Sequence, residues 1–285
     1  MSAPSVLIAG CGDIGGRLAS RLVAENWLVH GLRRTISHLP AGVVGVAGDL
    51  FGEQCPVEWP TGALDYLVYS AAATEHDEAG YRAAYIEGLQ HVLGWLKQHG
   101  QRPKRLLFVS SSSVYGQQKG EWVDETSVTE ASGYSGRLML EAEQVALDSG
   151  IPASRVRLTG IYGPGREWLL SQVRQGYSVV EDPPLYANRI HADDAAGLLA
   201  FLLDADRQGK TLEDCYIGVD DAPAALAEVV GWLREYMGVT QWAENASVRR
   251  AGSKRCSNAR AKALGWTPRY PSFREGYAAI LEGRC

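Results

Sequence analysis

A doubly wound α/β sheet with a small C-terminal α/β lobe is the fold class that the sequence predicts. Three observations predict it. Short apolar runs without polar alternation recur between amphipathic stretches, the pattern of parallel strands covered on both faces. The first run passes straight into a glycine-rich turn that opens a helix. Beyond residue 160 the rhythm breaks into loops punctuated by Gly163-Pro-Gly165 and Pro183-Pro184. The expected division is therefore 1–160 with 188–220 for the sheet domain, and 161–187 with 221–285 for the lobe.

The elements follow in order. Ser5–Ala9 reads as a buried strand, and the helix after it carries Ile14, Leu18, Leu22 and Val23 on one face. Strands are expected at Trp27–Leu32, Val43–Ala47 and Leu64–Tyr69, the last running into Ser70-Ala71-Ala72-Ala73. A long helix is expected over Glu78–His99, with Ala83, Ile86, Leu89, Val92, Leu93 and Leu96 on one face and a stop at Gly100 and Pro103. Further strands at Arg105–Val109 and Arg155–Leu158 flank a helix over Gly136–Ser149.

Composition narrows the function classes. The 285 residues are 46% hydrophobic and 21% charged, which suits a packed core and excludes disorder. A net charge of −5 argues against a broad phosphate footprint, so no nucleic-acid partner is expected. The apolar run Ala195–Leu203 is too short to span a bilayer, and the N-terminus lacks a basic region ahead of its apolar stretch. Neither a membrane nor a signal peptide is expected. Cys11, Cys55, Cys215, Cys256 and Cys285 are scattered, with no C-x-x-C pair, which suits a reducing cytoplasm and no metal. A monomer or homodimer acting on a small molecule fits these bounds.

The glycine-rich turn carries the first chemistry. Gly10-x-Gly12-x-x-Gly15 follows a strand and opens a helix, as a dinucleotide site requires. Gly10 lets the chain turn, Gly12 lets backbone approach a pyrophosphate, and Gly15 lets helix and strand pack closely. The first helical turn, with Asp13 and Ile14, offers its N–H groups to the phosphates. At the end of the second strand a carboxylate would hold the ribose 2′-hydroxyl of NAD(H). Arg33 and Arg34 stand there instead, and two guanidiniums suit a 2′-phosphate, so NADP(H) is expected with NAD(H) as the alternative. Asp49, with Leu50 beside it, is placed to accept from the adenine amino group, and Ala71 and Ala72 complete the expected cofactor contacts.

The order of Gly10-x-Gly12-x-x-Gly15, Asp49-Leu50, Ser110-Ser-Ser-Ser-Val-Tyr-Gly116, Arg157-Leu-Thr-Gly-Ile-Tyr-Gly-Pro164 and Arg189-Ile-His-Ala-Asp-Asp194 resembles the extended short-chain dehydrogenase/reductases, in an atypical form. More narrowly it resembles the NAD-dependent epimerase/dehydratase family, down to Leu264-Gly-Trp-x-Pro268. The resemblance implies a Rossmann domain with a substrate lobe, and hydride transfer at a sugar-like carbon, often of a nucleotide sugar. It also implies that Ser111 polarises the substrate oxygen. The family's Tyr-x-x-x-Lys dyad is altered: anchored on Glu141, Arg137 stands at the lysine and Gly133 at the tyrosine, with Tyr134 one residue late. Tyr85 takes the place of the family's asparagine. Ser111, Tyr134 and Arg137 are thus the expected catalytic set. The alternative is an NADP(H)-binding sensor or scaffold without turnover.

The resemblance makes His191-Ala-Asp193-Asp194 a structural joint rather than a metal site. The resemblance implies substrate-pyrophosphate ligands at Arg249-Arg250 and Lys254-Arg255, which by themselves read as a solvated basic face. The polar loop 116–132 reads as a substrate lid.

Overall fold

Apolar runs without alternation become strands covered on both sides, and the chain threads them in the expected order. The computed structural model describes residues 3–179, 181–243 and 253–285. It opens with β1 (Ser5–Ala9), α1 (Asp13–Ala24), β2 (Leu28–Arg33), β3 (Val44–Ala47) and β4 (Tyr66–Tyr69). Next come α2 (Glu78–Arg82), a π-helical turn at Ala83–Glu87, α3 (Gly88–Gln98), β5 (Arg105–Ser111), β6 (Glu121–Val123), α4 (Tyr134–Leu147) and β7 (Ala153–Leu158). Then follow β8 (Gly160–Tyr162), α5 (Trp168–Arg174), β9 (Tyr186–Ala187), β10 (Arg189–His191), α6 (Ala192–Arg207) and β11 (Cys215–Gly218). The last are β12 (Ala224–Ala225), α7 (Leu226–Met237), β13 (Lys254–Cys256), α8 (Ala259–Leu264) and α9 (Phe273–Leu281).

Seven strands form one parallel sheet in the order β11-β7-β5-β4-β1-β2-β3. β1 and β4 sit at its centre and are buried along their whole length. Strand order reverses between them, which makes a crevice outside their carboxyl ends the natural ligand position in such a sheet. The chain divides into two compact units. The first comprises Met1–Val114, Ala131–Arg157 and Ala196–Tyr216; the second comprises Tyr115–Glu130, Leu158–Ala195 and Ile217–Cys285. Residues 115–130, 158–160, 188–195 and 217–220, read from sequence as part of the sheet domain, thus group with the second unit. There β6 pairs with β13, β8 with β10, and β9 with β12.

Two helices differ from their expected form. The helix expected over Glu78–His99 is interrupted by the π turn, because the Tyr69 hydroxyl reaches out of β4 and donates to the Ala84 carbonyl at 2.5 Å. A side chain inserted into a helical ladder opens it locally. α4 starts at Tyr134 rather than at Gly136, with Gly133 as its N-cap.

α4 is fastened to the sheet by charge. Glu143 is 1% exposed on the helix's inner face and takes a bidentate grip from Arg157 of β7, at 2.8 and 2.7 Å. Ser110 of β5 donates to the same carboxylate at 2.6 Å, and Arg155 reaches it at 3.4 Å. Removing one partner of a buried pair strands the other charge, at a cost of about 3–5 kcal/mol. Glu143→Gln should therefore lower the unfolding free energy in urea by about that amount. A Glu143→Leu, Arg157→Met double variant should lose much less than the two single variants together, because it leaves no orphaned charge.

Candidate active site

At the switch between β1 and β4 the backbone makes the site. Gly10 turns the chain with φ +84°, and a Cβ there would lie 2.5 Å from the backbone of Ala71. A Cβ on Gly15 would meet the Gly10 carbonyl at 2.8 Å and Ser70 Oγ at 2.9 Å, so α1 can approach the sheet only without one. Gly12 differs: among the described residues the only atom near its Cβ position is the Gly10 carbonyl oxygen, at 4.0 Å. The space it leaves open faces the start of α1, whose N-cap forms no side-chain hydrogen bond. A helix start with no capping side chain and an open approach is what a diphosphate needs. Asp13 begins this turn and pairs with Arg17 at 2.8 Å, while Ile14 is buried beneath it. Cys11 is a packing residue, since burial pushes its thiol up to about 11 against the pull of Arg33.

Arg33 lies beside this turn. Its Nη1 donates to the Cys11 carbonyl at 3.2 Å, which holds the guanidinium at the mouth of the glycine loop. Arg34 is exposed, 5.9 Å from the centre of the Phe51 ring. Among the described residues neither guanidinium has a carboxylate within ion-pair distance. Asp49 is exposed and one carboxylate oxygen accepts from the Phe51 N–H at 3.1 Å, so it shapes a turn while keeping an oxygen for a ligand. Leu50 is buried, its carbonyl contacting His91 Nδ1 at 2.9 Å. Ala71 and Ala72 follow β4, Ala71 directly against Gly10.

β5 ends on Ser111, whose Oγ accepts from the Ser113 N–H at 3.1 Å, leaving its own O–H to donate elsewhere. Gly136 in the first turn of α4 lets the helix close on this serine turn, because a Cβ there would sit 2.4 Å from the Ser113 carbonyl. Tyr134 and Arg137, three apart, share one face of that turn. The Tyr134 hydroxyl donates to the His76 carbonyl at 2.5 Å, and its ring stands edge-on to Tyr81 at 5.5 Å. Tyr81 in turn packs on Tyr85 at 5.3 Å. Burial raises the Tyr85 hydroxyl's pKa, opposed by a hydrogen bond from the backbone of Ala73. Arg137 is exposed and donates to the Ser132 carbonyl at 3.2 Å.

The glycine turn thus leaves the start of α1 open, while Ser111 ends β5 and Tyr134 and Arg137 stand in the first turn of α4. Residues 6–218 match the NAD dependent epimerase/dehydratase family profile. The chain belongs to the NAD-dependent epimerase/dehydratase family. Protein YeeZ of Escherichia coli K12 is 28% identical over 216 residues, covering 74% of this chain and 77% of YeeZ. A solved structure from Methylobacillus flagellatus, provisionally assigned as an NAD-dependent epimerase/dehydratase, is 34% identical with a TM-score of 0.80, covering 99% of both chains. The UDP-glucose 4-epimerase of Thermus thermophilus, solved with NAD, shares the fold at 19% identity and a TM-score of 0.78, over 98% of each chain.

In this family member the second unit uses its named motifs structurally. Asp194 accepts from the N–H groups of Arg269 and Tyr270 at 2.6 and 2.9 Å, joining α6 to the chain ahead of α9. Lys254 Nζ donates to the Tyr115 carbonyl at 2.9 Å, and burial lowers its pKa. Arg255 lies 5.1 and 4.8 Å from the ring centres of Trp122 and Tyr186. The loop 116–132, read from sequence as a lid, is held through the pairing of β6 with β13. Arg249 and Arg250 lie outside the described residues.

Glu143, Gly136 and Tyr81 escaped the sequence reading. Glu143 carried a usable signal, since it shares a helix face with Met139, Ala142 and Ala146. Tyr81 and Gly136 carried none. The open space at Gly12 makes a specific prediction: Gly12→Val should melt within a few degrees of the wild type yet lose dinucleotide binding in calorimetry.

Proposed function

We propose that the protein is an NADP(H)-dependent oxidoreductase of the epimerase/dehydratase type, acting on a carbonyl or hydroxyl carbon of a nucleotide-sugar substrate. The observation that carries the cofactor preference is the pair Arg33 and Arg34, at the end of β2 beside the glycine loop and without a carboxylate partner among the described residues. Gly12 and the first turn of α1 would take the diphosphate, Arg33 and Arg34 the 2′-phosphate, and Asp49 the adenine. The bound nicotinamide supplies a reversible hydride acceptor. Kinship with a UDP-glucose 4-epimerase solved with NAD supports the substrate class.

The chain's own residues handle the proton. Ser111 donates its O–H to the substrate oxygen, its lone pair already engaged by the Ser113 N–H. Tyr134 carries the proton once its hydroxyl leaves the His76 carbonyl, a hydrogen bond worth about 0.5–1.5 kcal/mol. A free tyrosine titrates near about 10, so a cation beside the phenolate aids the transfer. Arg137 serves electrostatically, since a guanidinium does not relay protons. The same hydrogen bond from Tyr134 to His76 favours a second reading, a dinucleotide-binding sensor without turnover.

Titration calorimetry with both dinucleotides should show NADPH binding at least about tenfold tighter than NADH, the worth of one arginine–phosphate contact. Arg33→Ala should erase most of that difference, and equal affinities in the wild type would refute the preference. Tyr134→Phe, assayed with a panel of UDP- and dTDP-sugars, should cut turnover by about 10²–10⁴ with dinucleotide affinity nearly unchanged. Wild-type protein that binds NADPH but converts none of the panel would favour the sensor.

A further inference from the structure

In the second unit, β8 and β10 pair in parallel with Arg189 opposite Gly160. Beside them lies a cavity of about 110 Å³, lined by Tyr162, Trp168, Tyr177, Arg189 and Tyr277, with Arg166 also on its wall. Arg189 is only 4% exposed. Its guanidinium makes one hydrogen bond to the protein, from Nη1 to the Ala187 carbonyl at 2.9 Å. Among the described residues no carboxylate comes within ion-pair distance of it. Asp220, whose N–H donates to the Arg189 carbonyl, is pushed up to about 8 by burial, against the pull of Arg189. A buried guanidinium with no carboxylate in direct contact is costly to leave without an anionic ligand.

The shape and charge of the cavity select its occupant. One guanidinium with no second buried cation suits a monoanion, and its planar fork matches the two oxygens of a carboxylate. The walls are tyrosine and tryptophan rings, which favour a flat or compact apolar body. The volume is below the roughly 150 Å³ of an apolar cavity that admits benzene, so a carboxylate and a small group fill it. We propose that this cavity binds the carboxylate end of an organic acid, with the acid's oxygens on Arg189 and its body against the aromatic walls. Only in calling that acid a substrate does the assignment rest on the oxidoreductase reading.

The probes are two pairs of small molecules, acetate with acetamide and propionate with propionamide, titrated calorimetrically into the protein without dinucleotide. At least one carboxylate should bind tenfold or more tightly than its neutral amide. Arg189→Gln should abolish that preference, and Arg189→Lys, which keeps the charge but loses the fork, should retain part of it. If Arg189→Gln fails to fold, the wild-type pairs and the lysine variant decide the matter. Equal binding of acid and amide, or no binding of any probe, would overturn the site. Inorganic phosphate binding more tightly than either carboxylate would overturn the choice of acid. A carboxylate preference in protein that turns over no nucleotide sugar would keep this site and remove the enzymatic reading instead.

Discussion

The grip of Arg157 on Glu143 fastens α4 to the central sheet, and the candidate catalytic edge depends on that attachment. α4 carries Tyr134 and Arg137, while β5 brings Ser110 to the same carboxylate and Ser111 to the site. One buried anion thus sets the distance between a helix and the strand whose end it must face. Gly136 completes the arrangement by letting backbone approach backbone at the serine turn. The carboxylate fixes the body of the helix, and the glycine fixes its first turn.

The glycine turn was legible in the sequence because its requirements are backbone requirements. Gly10 and Gly15 are where a Cβ would strike Ala71, Ser70 or the Gly10 carbonyl, and glycine spacing records such collisions directly. The buried strands were legible for a similar reason, since short continuous apolar runs between amphipathic helices have few other uses. Glu143 was harder to see, because an isolated acid in a helix ordinarily reads as a solvated side chain. The π turn was invisible: it comes from the hydroxyl of Tyr69, which no local pattern at Ala83–Glu87 announces. At Tyr134 the sequence posed a question of frame. The structure starts the helix on that residue, so the tyrosine and Arg137 share a face despite the shifted motif.

Unpaired cations mark both units. In the first, Arg33 and Arg34 end β2 beside the glycine turn, half-buried and exposed respectively, which limits the cost of leaving them without carboxylates. In the second, Arg189 is held inside a wall of aromatic rings, where the same lack of a partner is far more expensive. The contrast separates a cation displayed at a surface from one enclosed in the interior. Glu143 and Arg157, by contrast, are enclosed charges that match each other.

The pairing of β6 with β13 bears on how the chain is made. Glu121–Val123 meets its partner only at Lys254–Cys256, so during synthesis β6 waits while most of the intervening chain emerges. Its Trp122 is 57% exposed even after pairing. A nascent chain therefore displays an unpaired strand edge and an indole for much of its translation, which is the kind of surface that chaperones bind. The second unit, assembled from three separated stretches, cannot close until the last of them arrives. The first unit needs nothing beyond Tyr216 and can be finished first. Order of completion along the ribosome is thus written into the strand pairing: the dinucleotide cradle matures early, and the aromatic cavity late.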